Sequence, residues 1–347
     1  MDMKFKIKSK IKNYNLEFIN SYKKKISTYN ESQLFIIDRN VFNLFFKNEI
    51  KIKNFILIDS SEESKSYHKI SHVISKILQK RLNKNSKIVA IGGGITQDIT
   101  SFICSIYFRG IDWEFFPTTL LAQGDSCIGG KTSINFGKFK NQLGNFNPPS
   151  NIYIDTIFLK KLRKIDIKSG IGEMAHLLAV RSSVNFNVIN KYFKGETSLK
   201  DLIITSLQSK KYYIEKDEFD KKERKLLNFG HTFGHAIESA TSYKIPHGVC
   251  VAYGCLIAFW ISNKMNFLTN KNYLKYEKIL KLFLNNKIKF DILKFKKAIL
   301  RDKKANKNKI GFILSYGCGK MFIKEMKIDL TFLNNIKKFN NQIEFKL

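Results

Sequence analysis

The chain has 347 residues, with 61 Lys plus Arg against 29 Asp plus Glu and a formal net charge of +32. With 44% hydrophobic and 13% aromatic residues and only four prolines, it falls outside the disordered and collagen-like classes. A chain of this length buries about three quarters of its unfolded surface, enough for two domains.

Only seven of the 61 cations are arginine, the lysines spread from Lys4 to Lys346, and no classical DNA- or RNA-binding signature occurs. The charge therefore reads as compositional bias, with no specific nucleic-acid partner expected. Met1 to Lys12 alternates Lys with Met, Phe and Ile and lacks the apolar block and cleavage site of a secretory signal. Short apolar runs then follow at Leu34–Asp38, Phe55–Asp59, Lys87–Ile91, Glu114–Pro117 and Asn151–Asp155, with helical stretches between them. That alternation predicts a parallel sheet with helices on its faces.

Gly92, Gly93 and Gly94 directly follow the third run, and Ile99, Phe102, Ile103 and Ile106 after them have helical spacing. A strand, glycine turn and helix offer backbone N–H groups and a helix N-terminus to a phosphate or pyrophosphate; a turn that needs glycine for packing alone is the competing reading. The segment Pro117 to Asn141 places Asp125, Lys131, Lys140 and Asn141 among glycines. Such turns let backbone approach a ligand while Lys and Asn supply donors to an anion.

From about residue 157 the pattern becomes helical, around Gly172–Ser182, Leu199–Lys216, Leu226–Ser239, Val249–Lys264 and Tyr273–Leu284. Glu173 enters an otherwise apolar helix, where a carboxylate is costly unless paired, capping or bound to metal. Arg224, Asn228, His231 and His235 are spaced by four, three and four residues, which on one helix puts all four on one face. His247 follows in Pro-His-Gly. Two helix-borne imidazoles with a distant carboxylate suit a divalent metal with an open position. The longest uncharged run, Gly248 to Asn263, is shorter than the roughly 20 residues that span a bilayer, so no membrane partner is expected. Five cysteines without a C-x-x-C pair fit a reduced, cytoplasmic setting.

GGGITQD from Gly92, YFRG from Tyr107, PTTLLAQGDSCIGGKTSIN from Pro117, KNQLGNFNPP from Lys140, LLNFGHTFGHAIE from Leu226, Pro246-His247-Gly248 and Asp302-Lys303-Lys304 occur in one order between Asp38 and Lys304. In this the chain resembles the 3-dehydroquinate synthases, within the sugar-phosphate cyclases. The resemblance implies an α/β, Rossmann-like NAD-binding domain over residues 1–157 and an all-α metal- and substrate-binding domain over 158–347. It also implies one divalent ion (zinc first, cobalt as the alternative), a sugar phosphate substrate and a homodimer.

By the same resemblance the metal ligands are Glu173, His231 and His247. The NAD contacts are Asp38, Asn40, Glu62, Lys65, Gly92, Gly93, Gly94, Asp98, Thr118 and Thr119. Asp125, Lys131, Lys210, Asn228 and His235 take catalytic roles. Arg109, Lys140, Asn141, Arg224, Lys303, Lys304 and His176 bind substrate, with Arg109 reaching the active site of the partner subunit. The implied reaction converts 3-deoxy-D-arabino-heptulosonate 7-phosphate to 3-dehydroquinate and phosphate, a carbon–oxygen lyase step of the shikimate pathway to chorismate and the aromatic amino acids.

Two positions depart from the family pattern. His176 stands where lysine is usual, three residues after the metal-binding glutamate, and Lys161-Leu162-Arg163 stands where Thr-Leu-Pro is common. The alternatives are a cyclase acting on another phosphorylated sugar, for a specialised metabolite or a surface polysaccharide, a metal-dependent polyol dehydrogenase, and a catalytically silent anion-binding relative.

Overall fold

The computed structural model describes residues 3–47, 52–137, 139–284, 286–300 and 309–343. The chain divides into two compact units, Met1–Leu162 and Arg163–Leu347.

The first unit runs β1 (Lys4–Ile7), β2 (Tyr14–Phe18), α1 (Tyr22–Ile26), β3 (Gln33–Asp38), α2 (Arg39–Phe45), β4 (Phe55–Ile58), α3 (Tyr67–Leu78), β5 (Lys87–Gly92), α4 (Gly94–Ile106), β6 (Asp112–Pro117), β7 (Ile134–Phe136), β8 (Phe139–Leu143) and β9 (Asn151–Ile154). Seven strands form one sheet in the order β1-β2-β9-β6-β5-β3-β4, parallel throughout except for the β1–β2 edge pair. Leu34, Phe35, Ile36 and Ile37 in β3 and Ile88, Val89, Ala90 and Ile91 in β5 are all buried, because both faces of these strands are covered. That is why they read as continuous apolar runs rather than as alternation. The five runs expected as strands are β3, β4, β5, β6 and β9, and the β1–β2 hairpin adds to them.

The chain leaves β3 for β4 on one side and returns to β5 on the other. The strand order therefore reverses between β3 and β5, and the carboxyl ends at such a reversal are where open parallel sheets bind ligands. Asp38 ends β3 and Gly92 ends β5.

The second unit contains α5 (Lys164–Arg181), α6 (Ser183–Phe193), α7 (Leu199–Lys216), α8 (His231–Ala240), α9 (His247–Lys264), α10 (Asn270–Lys281), α11 (Ile292–Leu300), β10 (Lys309–Ser315), β11 (Met321–Lys327) and α12 (Leu330–Gln342). The expectation of an all-α second domain is corrected by the antiparallel β10–β11 hairpin, whose Ile310, Phe312 and Leu314 are buried. A short apolar run does not by itself separate strand from helix. No described helix is long and apolar enough to cross a membrane.

The helix expected over Leu226–Ser239 is also corrected. Glu223–Asn228 is a 3-10 turn, and α8 starts only after Gly230, whose φ is 81°. A Cβ at Gly230 would lie 2.5 Å from the Cys255 sulfur and 2.8 Å from the Val251 carbonyl, so glycine both turns the chain and lets α8 start against α9. Arg224 and Asn228 consequently do not share a helix face with His231 and His235.

Candidate functional site

In the second unit, close backbone approach decides which side chains meet. Gly172 of α5 crosses Gly248 of α9 so tightly that a Cβ at Gly172 would lie 2.1 Å from the Gly248 carbonyl oxygen. Glu173 and His247 are their sequence neighbours, and His231 follows Gly230 at the start of α8. The three residues converge. His231 Nε2 lies 3.4 Å from Glu173 Oε1, and His247 Nε2 lies 3.5 Å from Glu173 Oε2. Two donors bonded at about 2.1 Å to a tetrahedral zinc stand about 3.4 Å apart, the spacing of each imidazole from its own oxygen of Glu173; one donor atom from each of Glu173, His176 and His231, and likewise of His231, His235 and His247, lies within 4.8 Å of the others.

Glu173 is buried, and burial alone would raise its pKa. The surrounding His247, His176 and His231 overrule that and hold the carboxyl well below its usual range. Burial is also the main reason that His231 is held below the usual imidazole value. An ionised Glu173 and a His231 held neutral are the protonation states that metal binding requires. Among the described residues, Glu173 Oε2, His231 Nδ1 and both ring nitrogens of His176 make no hydrogen bond, although all are buried. Buried polar atoms left in this way fit a group that the protein chain alone does not supply. The donor set, one carboxylate with imidazoles, suits zinc or cobalt.

Glu238 was missed from sequence. Its Oε2 lies 3.1 Å from His247 Nδ1, so it fixes the ring with the proton on Nδ1 and leaves Nε2 as the donor to a cation. A signal was present, since Glu238 follows His231 by seven residues and His235 by three, on one face of α8. The His235 ring centroid lies 5.4 Å from that of His231 and 5.3 Å from that of His247, on the exposed side of the cluster.

Arg224 is buried in the turn before α8, where its guanidinium donates to the Glu218 carbonyl. The turn is shaped by Asp217, also missed, whose carboxylate accepts the backbone N–H groups of Lys221, Lys222 and Arg224 at 2.9, 2.6 and 3.1 Å. Burial opposes ionisation of Asp217, but these donors hold its pKa below the ordinary value. Asn228 donates to the Lys225 carbonyl, and Lys210 is buried on α7. Lys303 and Lys304 lie outside the described residues.

In the first unit, Asp38 caps α2, its Oδ1 accepting the Val41 N–H at 2.9 Å, and Asn40 is exposed in the first turn of that helix. Gly92 ends β5 and Gly94 opens α4. A Cβ at Gly93 would meet Thr119 Cγ2 at 2.9 Å, and Thr118 donates its N–H to the Gly92 carbonyl. The hydroxyl of buried Thr118 has no hydrogen-bond partner among the described residues. Bare backbone, an unpartnered hydroxyl and a helix N-terminus side by side suit a pyrophosphate.

Glu62, Lys65, Asp98, Lys140 and Asn141 form one network near the start of α4. Lys65 Nζ lies 2.6 Å from Asp98 Oδ2 and donates to Asn141 Oδ1 at 3.1 Å. Burial pushes the Asp98 carboxyl up, and Lys65 pulls against it. Asn135 donates to the Glu62 carboxylate at 2.8 Å and accepts the Asn141 N–H, and Lys140 Nζ approaches Glu62 at 3.8 Å. Ser133 joins the same network, donating its hydroxyl to Asn141 Oδ1 and its N–H to Asp98. Ser133 and Asn135 were not among the sequence candidates, although both lie inside the glycine-rich segment that holds them. Asp125 sits half-buried in the turn Ala122–Ser126, and Lys131 is exposed, bridged to Phe146.

The 3-dehydroquinate synthase N-terminal profile matches residues 55–169, and the C-terminal profile matches residues 167–305. The 3-dehydroquinate synthase of Helicobacter pylori strain G27 is 37% identical over 271 residues, covering 76% of this chain and 77% of the relative. That of Dictyoglomus thermophilum is 37% identical over 317 residues, covering 87% and 88%. The chain belongs to the 3-dehydroquinate synthase family.

The fold is shared with more distant cyclases of known structure. A 2-deoxy-scyllo-inosose synthase complexed with carbaglucose-6-phosphate, NAD+ and Co2+ superposes with a TM-score of 0.82 at 22% identity, covering 96% of this chain and 98% of that one. The 2-epi-5-epi-valiolone synthase of Streptomyces hygroscopicus subsp. jinggangensis 5008, solved with NAD+ and Zn2+ bound, gives 0.80 at 20% identity, covering 95% and 97%. Against the 3-dehydroquinate synthase pattern, one expected residue stands apart from its own unit's cluster. Arg109 is exposed beyond the far end of α4, and the 13 residues of that helix separate it from the glycine turn by about 20 Å.

Proposed function

We propose that the protein converts 3-deoxy-D-arabino-heptulosonate 7-phosphate to 3-dehydroquinate and phosphate, a cytoplasmic carbon–oxygen lyase step toward chorismate. The observation that carries this reading is that His231 and His247 each approach a Glu173 oxygen at the spacing of two donors on one ion, in a chain of this family. When bound, NAD at a Rossmann-like first domain supplies a hydride acceptor that is restored within each turnover, and zinc or cobalt supplies a Lewis acid for the substrate's oxygens.

The chain's own residues do the rest. Asp38 and Asn40 serve the adenosine ribose, Gly92, Gly93 and Gly94 with Thr118 and Thr119 serve the pyrophosphate, and the Glu62–Lys65–Asp98 network holds the turn beside them. Lys131, Lys140, Asn141, Arg224, Lys303 and Lys304 bind the carboxylate and phosphate, for which charge-assisted hydrogen bonds are the strong ones. Asp125, Lys210 and Asn228 orient the ring hydroxyls. His235, exposed beside the cluster, carries a proton at an imidazole nitrogen. The position of Arg109 beyond α4 supports its service to the phosphate in a partner subunit of a homodimer. Five cysteines, all buried as free thiols, agree with a reducing cytoplasm.

A cyclase acting on another phosphorylated sugar is favoured only by His176 in place of lysine. Phosphate release from the heptulosonate phosphate, sedoheptulose 7-phosphate and glucose 6-phosphate separates the two readings. The expected result is release from the first by a wide margin; release only from one of the others assigns the protein to a different cyclase reaction.

A further inference from the structure

We infer that His176 is a ligand of the metal rather than a contact to the substrate, which makes the donor set Glu173, His176, His231 and His247. The inference rests on the metal-dependent reading above and concerns which atoms hold the ion. His176 Nε2 lies 3.4 Å from Glu173 Oε1, the same distance at which His231 Nε2 approaches that same oxygen. A donor atom from each of Glu173, His176 and His231 lies within 4.8 Å of the other two. The His176 and His231 rings meet edge to face at 88°, with centroids 4.6 Å apart.

Burial separates the two roles. The His176 side chain is 3% exposed, against 14% for His231 and 33% for His247, so it sits on the closed side of the cluster, behind the residues that a substrate would reach first. Neither of its ring nitrogens makes a hydrogen bond among the described residues. A buried imidazole neither of whose nitrogens is hydrogen-bonded is costly, and coordination of Nε2 would remove part of that cost. Glu173-Met174-Ala175-His176 also has the i, i+3 spacing by which a helix presents a carboxylate and an imidazole to one metal ion in four-helix-bundle metal sites. A lysine at this position has no lone pair to offer while charged. The substitution that departs from the family pattern therefore changes the donor set itself.

Glu173, His176, His231 and His247 would together hold the ion with four protein donors, more tightly than three would, and the ion would supply a Lewis acid there. X-ray absorption at the zinc edge of the purified protein, fitted for the number of imidazoles, tests this together with the His235→Gln and His176→Gln variants. The expected result is three imidazoles in wild type, three in His235→Gln and two in His176→Gln, with zinc affinity in the last lowered by more than the roughly 10- to 100-fold that losing a merely orienting residue costs. Wild type and His235→Gln suffice if His176→Gln does not fold, because His235 is the other imidazole close enough to compete. Two imidazoles in wild type, or loss of the third in His235→Gln, overturns the role of His176 and leaves the metal centre standing. A protein that binds no zinc overturns both.

Discussion

Replacing His247 with alanine is expected to abolish phosphate release and to lower bound zinc from one ion per chain to background, with the fold retained. His247 is the first residue of α9, a third exposed, and its Nε2 faces Glu173 while Nδ1 is fixed by Glu238. Truncating it opens no sealed cavity, because one side of the ring already faces solvent, and the α5–α9 contact rests on Gly172 and Gly248 rather than on the imidazole. Losing residues that merely orient a ligand costs about 10- to 100-fold in metal affinity, so losing the ligand itself costs more. Zinc content after dialysis, thermal unfolding and phosphate release on one preparation check this. Unchanged zinc stoichiometry in His247→Ala removes the residue from the metal centre.

The second large effect is expected at the glycine turn. Gly93→Val places a branched side chain where a Cβ alone already stands 2.9 Å from Thr119 Cγ2, so Thr119 has to move. The same side chain covers the backbone N–H groups between β5 and α4. The steric part costs about 1–3 kcal/mol as overpacking. Loss of the pyrophosphate approach comes in addition, and the NAD concentration required for half-maximal rate is expected to rise by about 100-fold, or about 2.7 kcal/mol. Calorimetric titration with NAD against the unfolding midpoint separates the two contributions. Wild-type NAD affinity in a folded Gly93→Val protein excludes the turn as the pyrophosphate site.

Much of the first unit was legible because parallel strands buried on both faces leave uninterrupted apolar runs such as Leu34–Ile37. The edge strand β1 was not, since its lysines are those of an exposed edge and resemble the background of the whole chain. Histidine spacing pointed to the glutamate–histidine cluster through a helix that the structure divides. His231 and His235 do share α8, but Gly230 breaks the helix before them, and the third imidazole arrives through a glycine-mediated crossing of α5 and α9. Such a crossing depends on tertiary packing that no local periodicity encodes. Glu238 and Asp217 escaped for a related reason: each acts through a neighbour, His247 in one case and the backbone of the Arg224 turn in the other.

On the proposed function, a metal ion and NAD serve one redox-neutral cyclisation. The most direct test follows phosphate and NADH together while the zinc-loaded protein turns over the heptulosonate phosphate with NAD at one equivalent per chain. The expected result is many phosphates released per NAD with no net NADH. One NADH accumulated per substrate consumed would show a polyol dehydrogenase, and full-rate phosphate release after complete removal of NAD would contradict the internal redox cycle.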